Sequence, residues 1–164
     1  MADLDRFRVA QDDPRAGFPT ALAELRAGRK TSHWIWYVFP QLTELGRSAM
    51  ARRFGLTNVG EATAYLQDPV LGARLAEAVA TVHAHVTGSR PIPVETLMGS
   101  HVDALKLVSC LTLFRHVALA LSATEPRPEW TTLADRAKAI LAVASAQGFP
   151  LCRFTEERCR AGSR

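Results

Sequence analysis

The chain has little cysteine. Cys110, Cys152 and Cys159 form an odd set, with no C-x-x-C pair and no spacing suited to zinc. Neither a disulfide framework nor a structural metal follows from them; no metal ligands are expected, and reduced thiols are the default. Lysine is also scarce: Lys30, Lys106 and Lys138 stand among 20 basic residues that are otherwise arginine. Positions that use a compact ammonium in place of a guanidinium fork therefore stand out. The chain has 10 Gly and 9 Pro in 164 residues, with 48% hydrophobic and 22% charged, which excludes collagen, low complexity and disorder. Every apolar stretch is interrupted by Arg, His, Asp or Lys, and none is expected to reach the ~20 residues that cross a bilayer. No membrane partner follows. The acidic start, Met1 to Asp5, lacks the basic-then-apolar order of a secretory signal, so a cytoplasmic location is expected.

No segment alternates with period two, and the spacing of βαβ units is missing. The expected fold is all-α, a single domain over residues 1–164, with about six to eight helices in an orthogonal array around a central helix near 101–121. Asp3 is placed to cap a short helix through Gln11, and a second helix over 17–27 stops at Gly28. Ser32 is expected to cap a third helix to Val38, halted near Pro40. A short helix over 48–54 ends at Gly55, and Asn58 with Glu61 three residues later resembles a capping box for a helix to Gln67. Asp68-Pro69 is a cap followed by a first-turn proline, and Leu71, Leu75, Ala78, Val79, Val82 and Val86 give the next helix a 3.6-residue stripe. A short helix ends at Met98, Ser100-x-x-Asp103 opens the central helix, and a further helix runs over 129–146. Thr155 is expected to cap only a final turn.

The formal charge of +4 is concentrated in residues 15–53, where seven Arg or Lys face Glu24 and Glu44. Such an excess attracts phosphates and other anions, although it falls short of a polybasic arm. Two segments carry the candidate chemistry. In Arg29 to Gln41, the residues Trp34, Trp36, Tyr37 and Phe39 sit beside Lys30, Ser32, His33 and Gln41. On a short helix those aromatics face two directions, so one side packs inward and the other is free to stack on a planar ligand. In the central helix, Asp103, Lys106, Ser109, Thr112 and His116 cover about half of an otherwise apolar circumference. Buried, each needs a partner, so the stripe either lines a wet pocket or resolves locally: Asp103 pairs with Lys106, and Ser109 and Thr112 bond their own helix carbonyls.

Lys30-x-Ser32-His33-Trp34-x-Trp36-x-x-Phe39-Pro40-Gln41, Tyr65-Leu66-x-Asp68-Pro69-Val70-Leu71-Gly72-x-Arg74-Leu75 and Asp103-x-Leu105-Lys106-Leu107-x-Ser109-x-x-Thr112-Leu113-Phe114 occur in that order. Together they resemble a bacterial family known as domain of unknown function eighteen-ten, over nearly the whole chain. The resemblance implies a compact all-helical domain and brings no activity with it. Cys110 stands where the family pattern leads one to expect serine, and Val108 where a basic residue is common. A remote kinship with helical NAD and ADP-ribose processing domains is a further enzymatic reading, without a catalytic motif to carry it.

The functional expectation is a pocket for a small anionic, planar, nucleotide-like ligand where the 30–41 segment meets the 103–116 stripe. Lys30 and Lys106 would hold charge, Ser32 and Ser109 would donate hydrogen bonds, and Trp34 or Trp36 would stack. Gln41, Asp103 and Thr112 complete the ligand-binding set, and His33 is the proton-transfer candidate. The competing class is an interaction module that docks a partner protein through Trp34 and Trp36. Nonspecific nucleic-acid binding through the basic 15–53 segment is a third. Sequence-specific DNA binding is not expected, because the helix-turn-helix-like stretch around Arg52 and Arg53 leads into a helix over 58–67 with no Arg or Lys to read guanine. His83 and His85, two apart on a helix, point about 200° away from each other and cannot share a metal.

Overall fold

A computed structural model describes residues 3–162. Met1, Ala2, Ser163 and Arg164, part of the acidic start and of the 1–164 span expected above, lie outside the described residues. Among these residues the order is α1 (Asp5–Gln11), α2 (Phe18–Arg26), α3 (Ile35–Val38), α4 (Ala49–Phe54), α5 (Val59–Gln67), α6 (Pro69–Thr87), α7 (Val94–Met98), α8 (His101–Thr124), α9 (Pro128–Ala146) and α10 (Arg153–Gly162). A 3-10 turn at Thr43–Leu45 and an isolated bridge between Leu42 and Leu56 are the other regular features described. The fold is all-α.

Several helix starts follow directly from short polar side chains. Asp68 Oδ1 accepts from the amides of Val70 and Leu71 at 3.0 and 2.9 Å, with Pro69 opening α6. Ser100 Oγ accepts from Asp103 N at 3.1 Å, and Asn58 Oδ1 from Glu61 N at 2.9 Å. Each bond satisfies an amide that the helix itself leaves without an acceptor. Glu61, however, reaches past the cap: its carboxylate accepts from Thr57 N at 2.7 Å and pairs with Arg6 at 2.7 Å. It joins α5 to α1 rather than closing a capping box.

α8 is the central helix and packs against α9, α5, α7 and α10. Its buried residues include Leu107, Val108, Cys110, Leu111, Leu113, Phe114, Val117 and Ala118, which surround most of its axis. Its most apolar window has a mean hydropathy of 1.6, long and apolar enough by composition to cross a membrane. This corrects the sequence reading that no run comes close: Asp103 and Lys106 lie near its start, and Arg115 and His116 interrupt the rest without lowering its mean hydropathy enough. That window is 67% buried inside the fold, because the neighbouring helices cover it.

α10 is a second correction. Thr155 does not cap a final turn; it is buried within a helix of 10 residues, and its hydroxyl donates to Cys152 Sγ at 3.1 Å. Thr155 and Cys159, four apart, are its buried contacts in a strongly charged run. The run is amphipathic, but its few apolar residues sit among so many charges that it reads as a polar tail.

The N-terminal half is pinned around Phe7, whose ring meets Tyr65 edge-on at 5.0 Å. Gln11 Nε2 donates to Tyr37 O at 2.6 Å and to Tyr65 Oη at 2.9 Å, tying α1 to α3 and α5. Complete burial of an aromatic such as Phe7 contributes about 1.5–3 kcal/mol, more than any single hydrogen bond here, so the aromatics set the position of α3 and the polar bonds set its register.

Candidate functional site

The segment before α3 is organised by Glu24, near the end of α2. Its Oε2 accepts from Thr31 N at 2.8 Å, Ser32 N at 3.0 Å and Trp34 Nε1 at 2.8 Å, while the Ser32 hydroxyl donates to Oε1. Partial burial pushes this carboxyl up, but the bonds from Ser32, Thr31 and Trp34 outweigh it and hold it down at about 2. Ser32 therefore does not cap α3, which begins at Ile35 with no side-chain cap. A carboxylate collecting four donors outcompetes one helix-terminal amide for a serine hydroxyl.

The same segment is pressed against the α7–α8 junction. Lys30 N donates to Leu97 O at 2.8 Å, and Gly99 has φ 80° with its Cα facing Lys30 O. A Cβ at position 99 would lie 2.6 Å from that carbonyl, so both the backbone angle and the close approach require glycine.

Lys30 and Lys106 converge on Asp103. The Lys30 ammonium is 2.8 Å from Oδ2, and that of Lys106 is 3.8 Å from Oδ1. Beyond this the two lysines differ. Lys30 has 5% of its side chain exposed, donates also to Ser32 O, and lies over the Trp34 ring at 5.0 Å. Its donors are committed to the protein, as a buried ammonium requires. Lys106 is 20% exposed and lies 4.9 Å from the centre of the Trp36 ring, too far from Asp103 for a hydrogen bond. Its donors remain available.

Two depressions meet at this cluster. A cavity of about 270 Å³ is lined by Lys30, Thr31, Ser32, His33, Trp36, Ser100 and Asp103, with Gly99 and Met98 behind them. A narrow cleft alongside is lined by Trp36, Gln41 and Lys106, and the two share Ile35 and Trp36. The amino end of α8 opens on the cavity, adding the partial positive charge of its first turn. His33 is exposed on the rim.

Residues 1–126 match the family of proteins of unknown function DUF1810. The chain belongs to the DUF1810 family. A similar solved structure is that of the conserved hypothetical protein Rv1873 from Mycobacterium tuberculosis, with 36% identity, 93% of each chain covered and a TM-score of 0.67. No curated protein matches. The matched DUF1810 region holds the whole Lys30–Asp103–Lys106 cluster and ends just past α8, so α9 and α10 lie outside it.

The structure brings together Lys30, Ser32, His33, Trp36, Asp103 and Lys106, with Gln41 in the adjoining cleft. Three candidates fall elsewhere. Trp34 is wholly buried between Glu24, Lys30 and Phe39, and offers no face to a ligand. The hydroxyls of Ser109 and Thr112 donate to the carbonyls of Leu105 and Val108 at 3.1 and 2.7 Å. Thr112 lines a different cavity, beside Arg115 and His116. Glu24, which positions the segment, escaped the sequence reading: a lone glutamate at the end of an amphipathic helix has no spacing that announces four donors.

Proposed function

We propose that this DUF1810 chain binds a small anionic, nucleotide-like ligand along Trp36, with the anion at Lys106 and the rest in the adjoining cavity. The observation that carries this reading is the asymmetry of the lysines. Lys30 is held by Asp103, Ser32 O and the Trp34 ring face, whereas Lys106 keeps its donors beside a half-buried aromatic ring. A cavity of about 270 Å³ is slightly below the ~300 Å³ where drug-sized sites begin, which favours a compact phosphorylated or carboxylated metabolite over a dinucleotide. His33 is the proton-transfer candidate on the rim; binding alone is what the geometry supports best. The three free cysteines fit a reducing, cytoplasmic setting.

The docking alternative needs both indoles turned outward, and the burial of Trp34 favours the ligand reading over it. No observation favours a link to NAD or ADP-ribose processing.

A thermal-shift panel of AMP, ADP-ribose and phosphorylated sugars, with adenosine as the uncharged control, tests the proposal. A ligand at 100 times its dissociation constant stabilises by about 2.7 kcal/mol, readily seen as a rise in Tm. The reading expects a rise with at least one phosphorylated compound and none with adenosine. A panel without any rise overturns it.

A further inference from the structure

The end of the central helix holds a second set of cations, outside the cluster just described. A cavity of about 140 Å³ lies where α8 meets α10, lined by Arg115, His116, Glu156, Cys159 and Arg160, with Leu141 of α9 as its apolar wall. It is about 15 Å along α8 from Lys106, taking 1.5 Å per residue.

Four arginines that join separate elements are matched with acids: Arg6 with Glu61, Arg8 with Asp68, Arg74 with Asp12 and Arg158 with Glu44. Half-buried Arg115 and exposed Arg160 are not among them, and both line the same cavity. Among the described residues neither has a carboxylate within salt-bridge distance, although Glu156 lines the same cavity. Two guanidiniums from different helices thus flank one small concavity against a single acid. The other polar groups add no negative charge. The Thr112 hydroxyl is held by Val108 O at 2.7 Å, and burial pushes the Cys159 thiol up to about 11, so it stays protonated. Two planar forks that line one cavity from separate helices suit a tetrahedral oxyanion, which each can grip through paired N–H groups. The volume of about 140 Å³ admits one phosphate group.

We propose that Arg115 and Arg160 form an anion site for inorganic phosphate or the phosphate of a small phosphomonoester. It lies between α8 and α10 and is independent of the Trp36 site. No covalent step is involved. Binding would clamp α10, which lies outside the matched family region, onto the central helix.

The test is a titration of the full chain with sodium phosphate, with chloride adjusted to keep ionic strength constant, followed by proton–nitrogen NMR of the arginine side chains and backbone. Saturable shifts confined to the Arg115 and Arg160 Nε–H signals and to nearby amides of α8 and α10 are expected. Arg115→Gln and Arg160→Gln should each weaken binding by about tenfold or more, the loss of one guanidinium fork and its charge. Arg115→Lys, which keeps the charge and loses the fork, should fall between. Arg153→Gln, at a cation that lines neither cavity, should leave the Arg115 and Arg160 shifts unchanged. Linear, unsaturable shifts overturn the proposal, as do shifts that survive both glutamine variants or that move only with Lys106→Ala. The first two would mark general ionic attraction. The third would assign phosphate to the Trp36 site and leave the reading of that site intact.

Discussion

Glu24 Oε2 lies 2.8 Å from the indole nitrogen of Trp34 and accepts a hydrogen bond from it, which fastens the end of α2 to the segment that leads into α3. Lys30 lies over the face of the same indole at 5.0 Å. One aromatic side chain thus carries an anion at its edge and a cation over its ring, the arrangement its charge distribution favours. The candidate site is built on that contact without the indole itself being available to a ligand.

Glu24→Gln should lower stability at pH 6 by about 1–3 kcal/mol, because one amide oxygen replaces two carboxylate oxygens and the amide nitrogen is set against donors. The carboxyl is held down at about 2, below its ordinary 4.5. Its stabilisation is therefore fully present above 4.5 and is lost as the pH falls through 2. Urea unfolding at pH 6 and near pH 2 should show the difference between wild type and variant shrinking in acid. A difference independent of pH would contradict this.

Asp103→Asn should be destabilising by about 3 kcal/mol, since it leaves the Lys30 ammonium, 5% exposed, without its counter-charge. Lys30→Met in the same chain should restore part of the loss, a coupling that a double-mutant cycle measures. Additive losses would mean that the ion pair is incidental.

The two neighbouring tryptophans should separate structure from binding. Trp34→Phe removes a fully buried indole and strands Glu24, and should cost about 2–3 kcal/mol. Trp36→Phe, at a half-buried ring, should cost under about 1 kcal/mol while reducing any ligand-induced change in fluorescence. Equal stability losses in the two variants would contradict the assignment of Trp34 to the core and Trp36 to the site.

Much of the fold was legible because its signals are local. Asp68-Pro69 and Ser100-x-x-Asp103 each place a cap oxygen beside the amides it satisfies, within three residues. The convergence of Lys30 with Lys106 was legible as two lysines in an arginine-rich chain, each inside one of its two most distinctive segments. The mediator was harder to see, because Asp103 reads as the partner of Lys106 three residues on, whereas its shorter contact crosses more than 70 residues to Lys30. Glu24, the burial of Trp34 and the length of α10 were not legible. The first two depend on neighbours distant in sequence and leave no spacing in their own segments, whereas α10 is amphipathic but its few apolar residues are scattered among many charges.

The thiols offer a check on the packing around α8 and α10. Burial pushes Cys110 far up and Cys159 to about 11, and both side chains are enclosed, while Cys152 is partly exposed. Iodoacetamide at pH 8 should label Cys152 first, with Cys159 reacting only as the pH nears its raised value and Cys110 only on unfolding. Mass spectrometry of the labelled peptides reads the order. Early labelling of Cys159 would mean that α10 is not docked as described.

The central claim rests on Lys106 being held for a ligand rather than for the fold. The most direct measurement is calorimetric titration of AMP, with adenosine as control, into wild type and Lys106→Ala, alongside urea unfolding of both. The account predicts saturable binding of AMP but not of adenosine to wild type, weakened by about tenfold or more in the variant. The apo stability should change by no more than about 1 kcal/mol, since the ion pair lost is long and partly exposed. Undiminished AMP binding in Lys106→Ala, or a large loss of apo stability with binding preserved, would contradict it and make Lys106 a structural partner of Asp103.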